Sequence, residues 1–231
     1  MSPRINLKNF ILLLIVIATA MVFGVLVSSR PQSTMYPIIK QRITGSDITI
    51  DNIVRLNFIE IPHITPTANE EKINTFNSYT KEIWLKDWIT KVNEAENEIY
   101  QGVLEVRELD DTTYLLLETL AIQHPEHEKT ILSHKLLLVD GYTLEIVPGI
   151  DYARHNEVSP QQIIESIQRY LDYYQQPNSF ISIPTLTTDN LSSLSFYVKA
   201  DILHLIVDTS LRLDDGTLMT APQLHSIPLN Y

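Results

Sequence analysis

His124, Pro125, Glu126, His127 and Glu128 follow one another in the chain, and His134 stands seven positions after His127. Imidazole and carboxylate are the usual ligands of zinc, and a corner between two strands can bring such groups together. The chain has no His-Glu-x-x-His string, the spacing that sets two imidazoles on one helical face. A solvated hairpin corner is therefore the simpler expectation for this run. Neither a metal nor any other cofactor is expected, and His124 and His127 are kept as candidate ligand contacts.

Trp84 and Trp88 lie four apart, so a helix would set both rings on one side. Such a pair suits either a core anchor or an aromatic recognition edge, and both residues join the candidate ligand contacts. Tyr170, Tyr173 and Tyr174, with Tyr152 upstream, could similarly form a sugar-stacking surface or straddle core and water. The acid pairs Asp110 with Asp111 and Asp214 with Asp215 read as turn chemistry rather than as general acid and base. Neither a Gly-x-Ser-x-Gly nucleophile turn nor a phosphate-cradling glycine loop occurs, and the whole chain has six glycines. No catalytic residue is named, and the protein is expected not to be an enzyme.

The elements that must position these residues follow from pattern. β-branched and aromatic content over Asp47 to Ile64 predicts a strand or two joined strands, ended by Pro62. Thr67 and Glu70 fit a capping box, and Ile73, Phe76, Ile83, Trp84, Trp88 and Val92 give a helical stripe, predicting a helix over Ala68 to Asn93. Strands are predicted over Ile99 to Leu109, Thr113 to Gln123, Thr130 to Val139 and Tyr142 to Val147, the last two joined by a tight turn at Asp140 and Gly141. Ser159, Pro160 and Gln162 open a second helix whose apolar face runs from Ile163 to Tyr174. After a linker from Ser179 to Asp189, strands are predicted at Leu194 to Val198, Ile202 to Val207 and Leu224 to Leu229. The expected fold class is α+β, a mainly antiparallel sheet with two packing helices.

One segment stands apart from that domain. Phe10 to Val27 is an uncharged apolar run of 18 residues, preceded by Arg4 and Lys8. It reads as an uncleaved signal anchor, with its N-terminus inside. The expected organisation is a cytoplasmic tail at 1–9, a transmembrane anchor at 10–29, a stalk at 30–46 and an extracytoplasmic domain at 47–231. Absence of cysteine excludes a disulfide framework and thiolate metal sites. Residues 1–30 carry Arg4, Lys8 and Arg30 and no acid, so the remainder holds 14 basic against 28 acidic residues. Such a field repels nucleic acid, so none is expected as a partner.

Tyr36, Pro37 and Ile38, then Lys72, Ile73 and Asn74 on a helix, a turn carrying His124, Leu137 and Leu138 running to Asp140 and Gly141, and Phe196 with Tyr197 occur in a telling order. In these marks the stretch from Tyr36 to Leu229 resembles the extracytoplasmic domain of RsiV-type anti-sigma factors and PdaC-type peptidoglycan deacetylases. The resemblance implies a bacterial envelope domain that meets the cell wall or a secreted protein. Its departures matter for function. The family's turn usually reads Gly-Gly-Ala-His-Gly, of which only the histidine persists here, and Val207 to Leu218 replaces the family's aromatic and proline-rich segment. Neither a sigma-binding nor a deacetylase part is expected. The expected function is a membrane-anchored binding or sensory module facing cell-wall glycan or a secreted protein. Alternatives are a wall-modifying hydrolase with a histidine and carboxylate site, or a structural subunit of a membrane complex.

Overall fold

Alternate side chains of one central strand belong to two different cores, and that fact defines the architecture. In the computed structural model, which describes residues 34–44, 57–66, 70–94, 99–123, 130–173, 179–181, 183, 186–212 and 218–229, this strand is β4 (Thr113–Gln123). Its Tyr114, Leu116 and Leu120 pack under a long helix, whereas Leu115 and Leu117 pack with Tyr152 and Tyr197 of the other half of the domain. A strand covered on both faces needs apolar residues at nearly every position, and Leu115, Leu116 and Leu117 follow one another accordingly.

The first sheet has the order β1 (Ile39–Thr44), β2 (Phe58–His63), β3 (Ile99–Glu108), β4, β5 (Thr130–Asp140) and β6 (Ile146–Val147). The β2 and β3 strands pair in parallel at Phe58 and Ile59, joined through α1 (Glu70–Glu94); every other neighbour in this sheet is antiparallel. Ile73, Phe76, Trp84, Trp88 and Val92 form the buried side of α1. Each tryptophan removes roughly 4–6 kcal/mol worth of apolar surface from water, enough to fix the helix on the sheet. Asn77 adds direction, accepting from the Ile64 N–H at 2.9 Å and donating to the Ile64 carbonyl at 2.8 Å.

The second sheet has β10 (Leu218–Pro228) beside β9 (Ile202–Arg212), with β7 (Ser179–Ile181) and β8 (Ser195–Lys199) both pairing with β9 along different stretches. Its outer face carries α2 (Gly149–His155) and α3 (Pro160–Tyr173), with Ile150, Ala153, Ile163 and Ile167 packed on Phe196, Val198, Leu203, Leu205 and Ile227. The layers are thus helix, sheet, sheet and helices.

The α+β class and the mainly antiparallel pairing agree with the sequence reading, but one sheet with two helices becomes two sheets with three α-helices among the described residues. Alternation marks which face of a strand is apolar, not which sheet the strand joins. The stretch expected as a stalk contains β1, and the Tyr36 N–H donates to the Gly141 carbonyl at 2.7 Å. Pro62 lies inside β2 rather than ending it, beyond the short pairing with β3 where a missing N–H is tolerated. The turn after β5 is longer than the expected two-residue hairpin. Leu144, at φ 64°, takes the left-handed conformation, and Gly141 is small because Met35 lies against it, 2.7 Å from where a Cβ would stand. No described helix is long and apolar enough to cross a membrane; the expected anchor at 10–29 lies outside the described residues.

Candidate functional site

The α3 helix begins as the sequence requires. Ser159 Oγ accepts from the Gln162 N–H at 3.2 Å while Gln162 Oε1 accepts from the Ser159 N–H at 2.8 Å, a complete capping box. Ile163 and Ile167 then face the second sheet, which turns Arg169 and Tyr173 outward and leaves Tyr170 at the boundary. Where β10 passes beside the helix, Ser166, Arg169, Tyr170, Tyr173, Ile227 and Pro228 line a groove of about 520 Å³. That size lies within the range of about 300–1,000 Å³ usual for small-ligand sites.

Tyr173 is 91 % exposed and contributes little to the core. Tyr170 is held from below, its hydroxyl 2.9 Å from His225 Nδ1 and its ring edge-on to the imidazole at 5.7 Å. The other nitrogen of buried His225 lies 2.9 Å from Thr209 Oγ1. Burial lowers the His225 pKa, so the neutral ring is favoured, one nitrogen donating and the other accepting between two hydroxyls that can take either role. The Arg169 guanidinium donates to the Glu165 carbonyl at 3.2 Å, to Ser166 Oγ at 3.2 Å and to the Leu229 carbonyl at 3.5 Å. These bonds to neutral oxygens fix the plane of a cation at the rim. The groove thus combines aromatic and apolar walls with one oriented positive charge.

A second hollow, about 410 Å³, opens where β5 and the second sheet diverge, with His134, Asp208 and Pro222 on its walls. His134 Nδ1 lies 3.1 Å from Thr119 Oγ1, and burial lowers its pKa. Of the histidines considered for a metal, only His134 is described; His124 and His127, with Glu126 and Glu128, lie outside the described residues. Among the described residues there is no group of three or more His, Cys, Asp or Glu side chains able to hold a metal ion.

Trp84 and Trp88, at 1 % and 0 % exposure, are core residues and not a recognition edge. Trp88 Nε1 donates to the Tyr100 carbonyl at 3.3 Å. Asp110 is a turn residue, as its context suggested. Its carboxylate accepts from the Thr112 and Thr113 N–H groups, each at 2.8 Å, and from the Tyr152 hydroxyl. Partial burial works against ionisation, but these hydrogen bonds outweigh it and lower the pKa. Burial, with Asp110 beside it, raises the Tyr152 pKa, so Tyr152 serves as a donor between sheets rather than a ligand-facing ring. Asp214 and Asp215 lie outside the described residues. Of the groove, the sequence had marked Tyr170 and Tyr173. It missed Arg169 and His225; the alternation of His225 and Ile227 along β10 was the available signal for the second.

No family model matches the sequence, and no curated protein matches it. A crystal structure of a DUF3298 family protein from Pseudomonas aeruginosa PAO1 is similar at 7% sequence identity and a TM-score of 0.41, covering 84% of this chain and 88% of that one. The likeness is to a domain of unknown function, and the resemblance to RsiV-type and PdaC-type envelope domains rests on the sequence marks themselves.

Proposed function

We propose that this protein is a membrane-anchored binding module, its α+β domain outside the cytoplasm and in contact with the cell wall or a secreted protein, without catalysing a reaction. The observation that carries this reading is the uncharged apolar run Phe10 to Val27, set ahead of a domain whose described cores draw on residues from Met35 onward. The groove between α3 and β10 supports a contact role, because it offers exposed aromatic surface and a fixed cation with no nucleophile and base pair among its lining residues.

Protease digestion of intact cells tests the reading, read together with the size of the membrane-bound product. Loss of the domain to external protease, from a full-length membrane-bound precursor, is the expected result. Protection that persists after the outer face is opened would place the domain in the cytoplasm and end the proposal.

A further inference from the structure

We infer that the hollow between β5 and the second sheet is a site for a primary alkylammonium group, held by the Asp208 carboxylate. This site is separate from the groove beside α3 and does not depend on which side of a membrane the domain occupies. Successive side chains of a strand point to opposite faces, so residues two apart share one. Leu136 and Leu138 of β5 and Ile206 of β9 pack in the core between the two sheets. Two residues further along each strand stand His134 and Asp208, so both side chains lie on the facing sides of the sheets. There the sheets part, and Ile183, Leu194 and Pro222 also line the hollow of about 410 Å³. Its walls are mostly apolar, with one carboxylate.

The surrounding charges select a cation. Asp208 makes no hydrogen bond or ion pair among the described residues, and no lysine or arginine is among the residues lining the hollow. Lys135, next to His134, reaches the opposite side of its sheet, where it donates to the Ile83 carbonyl of α1 at 2.8 Å. Arg212 stands four residues, roughly 13 Å, beyond Asp208 on β9 and has a partner of its own. The β10 strand carries no acid, lysine or arginine, and its Pro222, opposite Asp208, has no N–H to offer the carboxylate. Burial lowers the His134 pKa, and a hydrogen bond to the Glu118 carbonyl offsets this only in part, so near neutral pH the ring adds no opposing charge. Beyond residue 30 the chain has 28 acidic against 14 basic residues, a field that draws cations to its surface. A metal ion is the other cation to weigh. Zinc takes three or four protein ligands, and His134 with Asp208 supplies two. The apolar walls favour an organic cation, because they give the methylenes of an alkyl stem a surface to cover.

Nuclear magnetic resonance titration of the full-length protein, in an uncharged detergent near neutral pH, tests this with two matched probes. The first is 5-amino-1-pentanol, whose amine stays protonated there, and the second is 1,5-pentanediol, its uncharged counterpart. The amine should shift the amide signals of His134 and Asp208 with a Kd of about 20 mM or below. It should bind at least about 3-fold more tightly than the diol, the scale of one partly exposed ion pair. Asp208→Asn should abolish that preference with melting unchanged. Asp172→Asn, on the helix that covers the outer face of the second sheet, should leave it intact. Absence of amine binding, equal binding of the two probes, or a preference that survives Asp208→Asn overturns the inference. Stoichiometric binding of zinc or calcium that is lost in Asp208→Asn also overturns it, because the hollow would then be a metal site.

Discussion

The Tyr170 hydroxyl on α3 and His225 Nδ1 on β10 stand 2.9 Å apart, and the same imidazole reaches Thr209 Oγ1 with its other nitrogen at 2.9 Å. One buried ring therefore ties a helix to two neighbouring strands and fixes Tyr170 where it lines the groove. His225 is 7 % exposed, so the neutral form is the one this arrangement holds.

Stability should depend on pH through this ring. Its folded pKa lies below the ordinary 6.5, so below that pH the unfolded chain binds a proton that the folded chain resists. Stability should fall as pH drops through about 6.5 and continue falling toward the folded value. His134 and His204 are shifted in the same direction, mainly by burial, and add to the slope. Urea melts between pH 7.5 and about pH 5 should show a shallower slope for His225→Gln than for the native protein. An equal slope would mean that His225 is not held neutral.

Trp84→Ala and Trp88→Ala should each cost about 3–5 kcal/mol, because both rings are enclosed between α1 and the first sheet. Denaturant titration reads this directly. A loss below about 1 kcal/mol at either position would place that ring at the surface.

Tyr152→Phe should cost about 1–2 kcal/mol by removing the hydroxyl that donates to Asp110 across the boundary between α2 and the β3–β4 turn. Asp110→Ala should cost more, since the Thr112 and Thr113 N–H groups lose their acceptor as well. A double-mutant cycle between the two should give a coupling of at least about 0.5 kcal/mol. Strict additivity would show that the hydroxyl and carboxylate act independently.

Besides Leu144, three described non-glycine residues, Glu157, Ala200 and Asp201, occupy left-handed backbone at turns. Ala200, at φ 50°, precedes Asp201, at φ 60°, in the two-residue turn joining β8 to β9, the pattern of a type I′ hairpin. Glu157, at φ 62°, closes α2, with the Val158 N–H bonding to the Ala153 carbonyl and the Glu157 N–H to the Arg154 carbonyl. Ala200→Gly and Glu157→Gly should each raise stability by about 0.5–1 kcal/mol, since relief of left-handed strain exceeds the entropy that glycine adds to the unfolded chain. A destabilised Ala200→Gly variant would contradict the turn geometry.

The parts of this fold written locally were the parts the sequence revealed. The β3 to β5 strands carry enough apolar residues to be read in order, and Ser159 with Gln162 announces α3 at its true start. The β1 strand escaped because Ile39, Lys40, Gln41 and Arg42 are all exposed on an edge, so no alternation in residue type marks it. The α2 helix has seven residues, too few to establish a period. The groove was half legible. Tyrosines on one helix face can be counted, but Tyr170 and His225 are 55 positions apart and only packing brings them together.

Because the chain contains no cysteine, one introduced thiol reports on location without background. Tyr173→Cys, at the exposed rim of the groove, and Ser2→Cys, ahead of the apolar run, should be compared on intact cells with a maleimide that cannot cross the membrane. A membrane-anchored module with its groove outside predicts rapid labelling at position 173 and labelling at position 2 only after the cells are opened. Labelling at position 2 alone, or at neither until the cells are opened, would contradict the account.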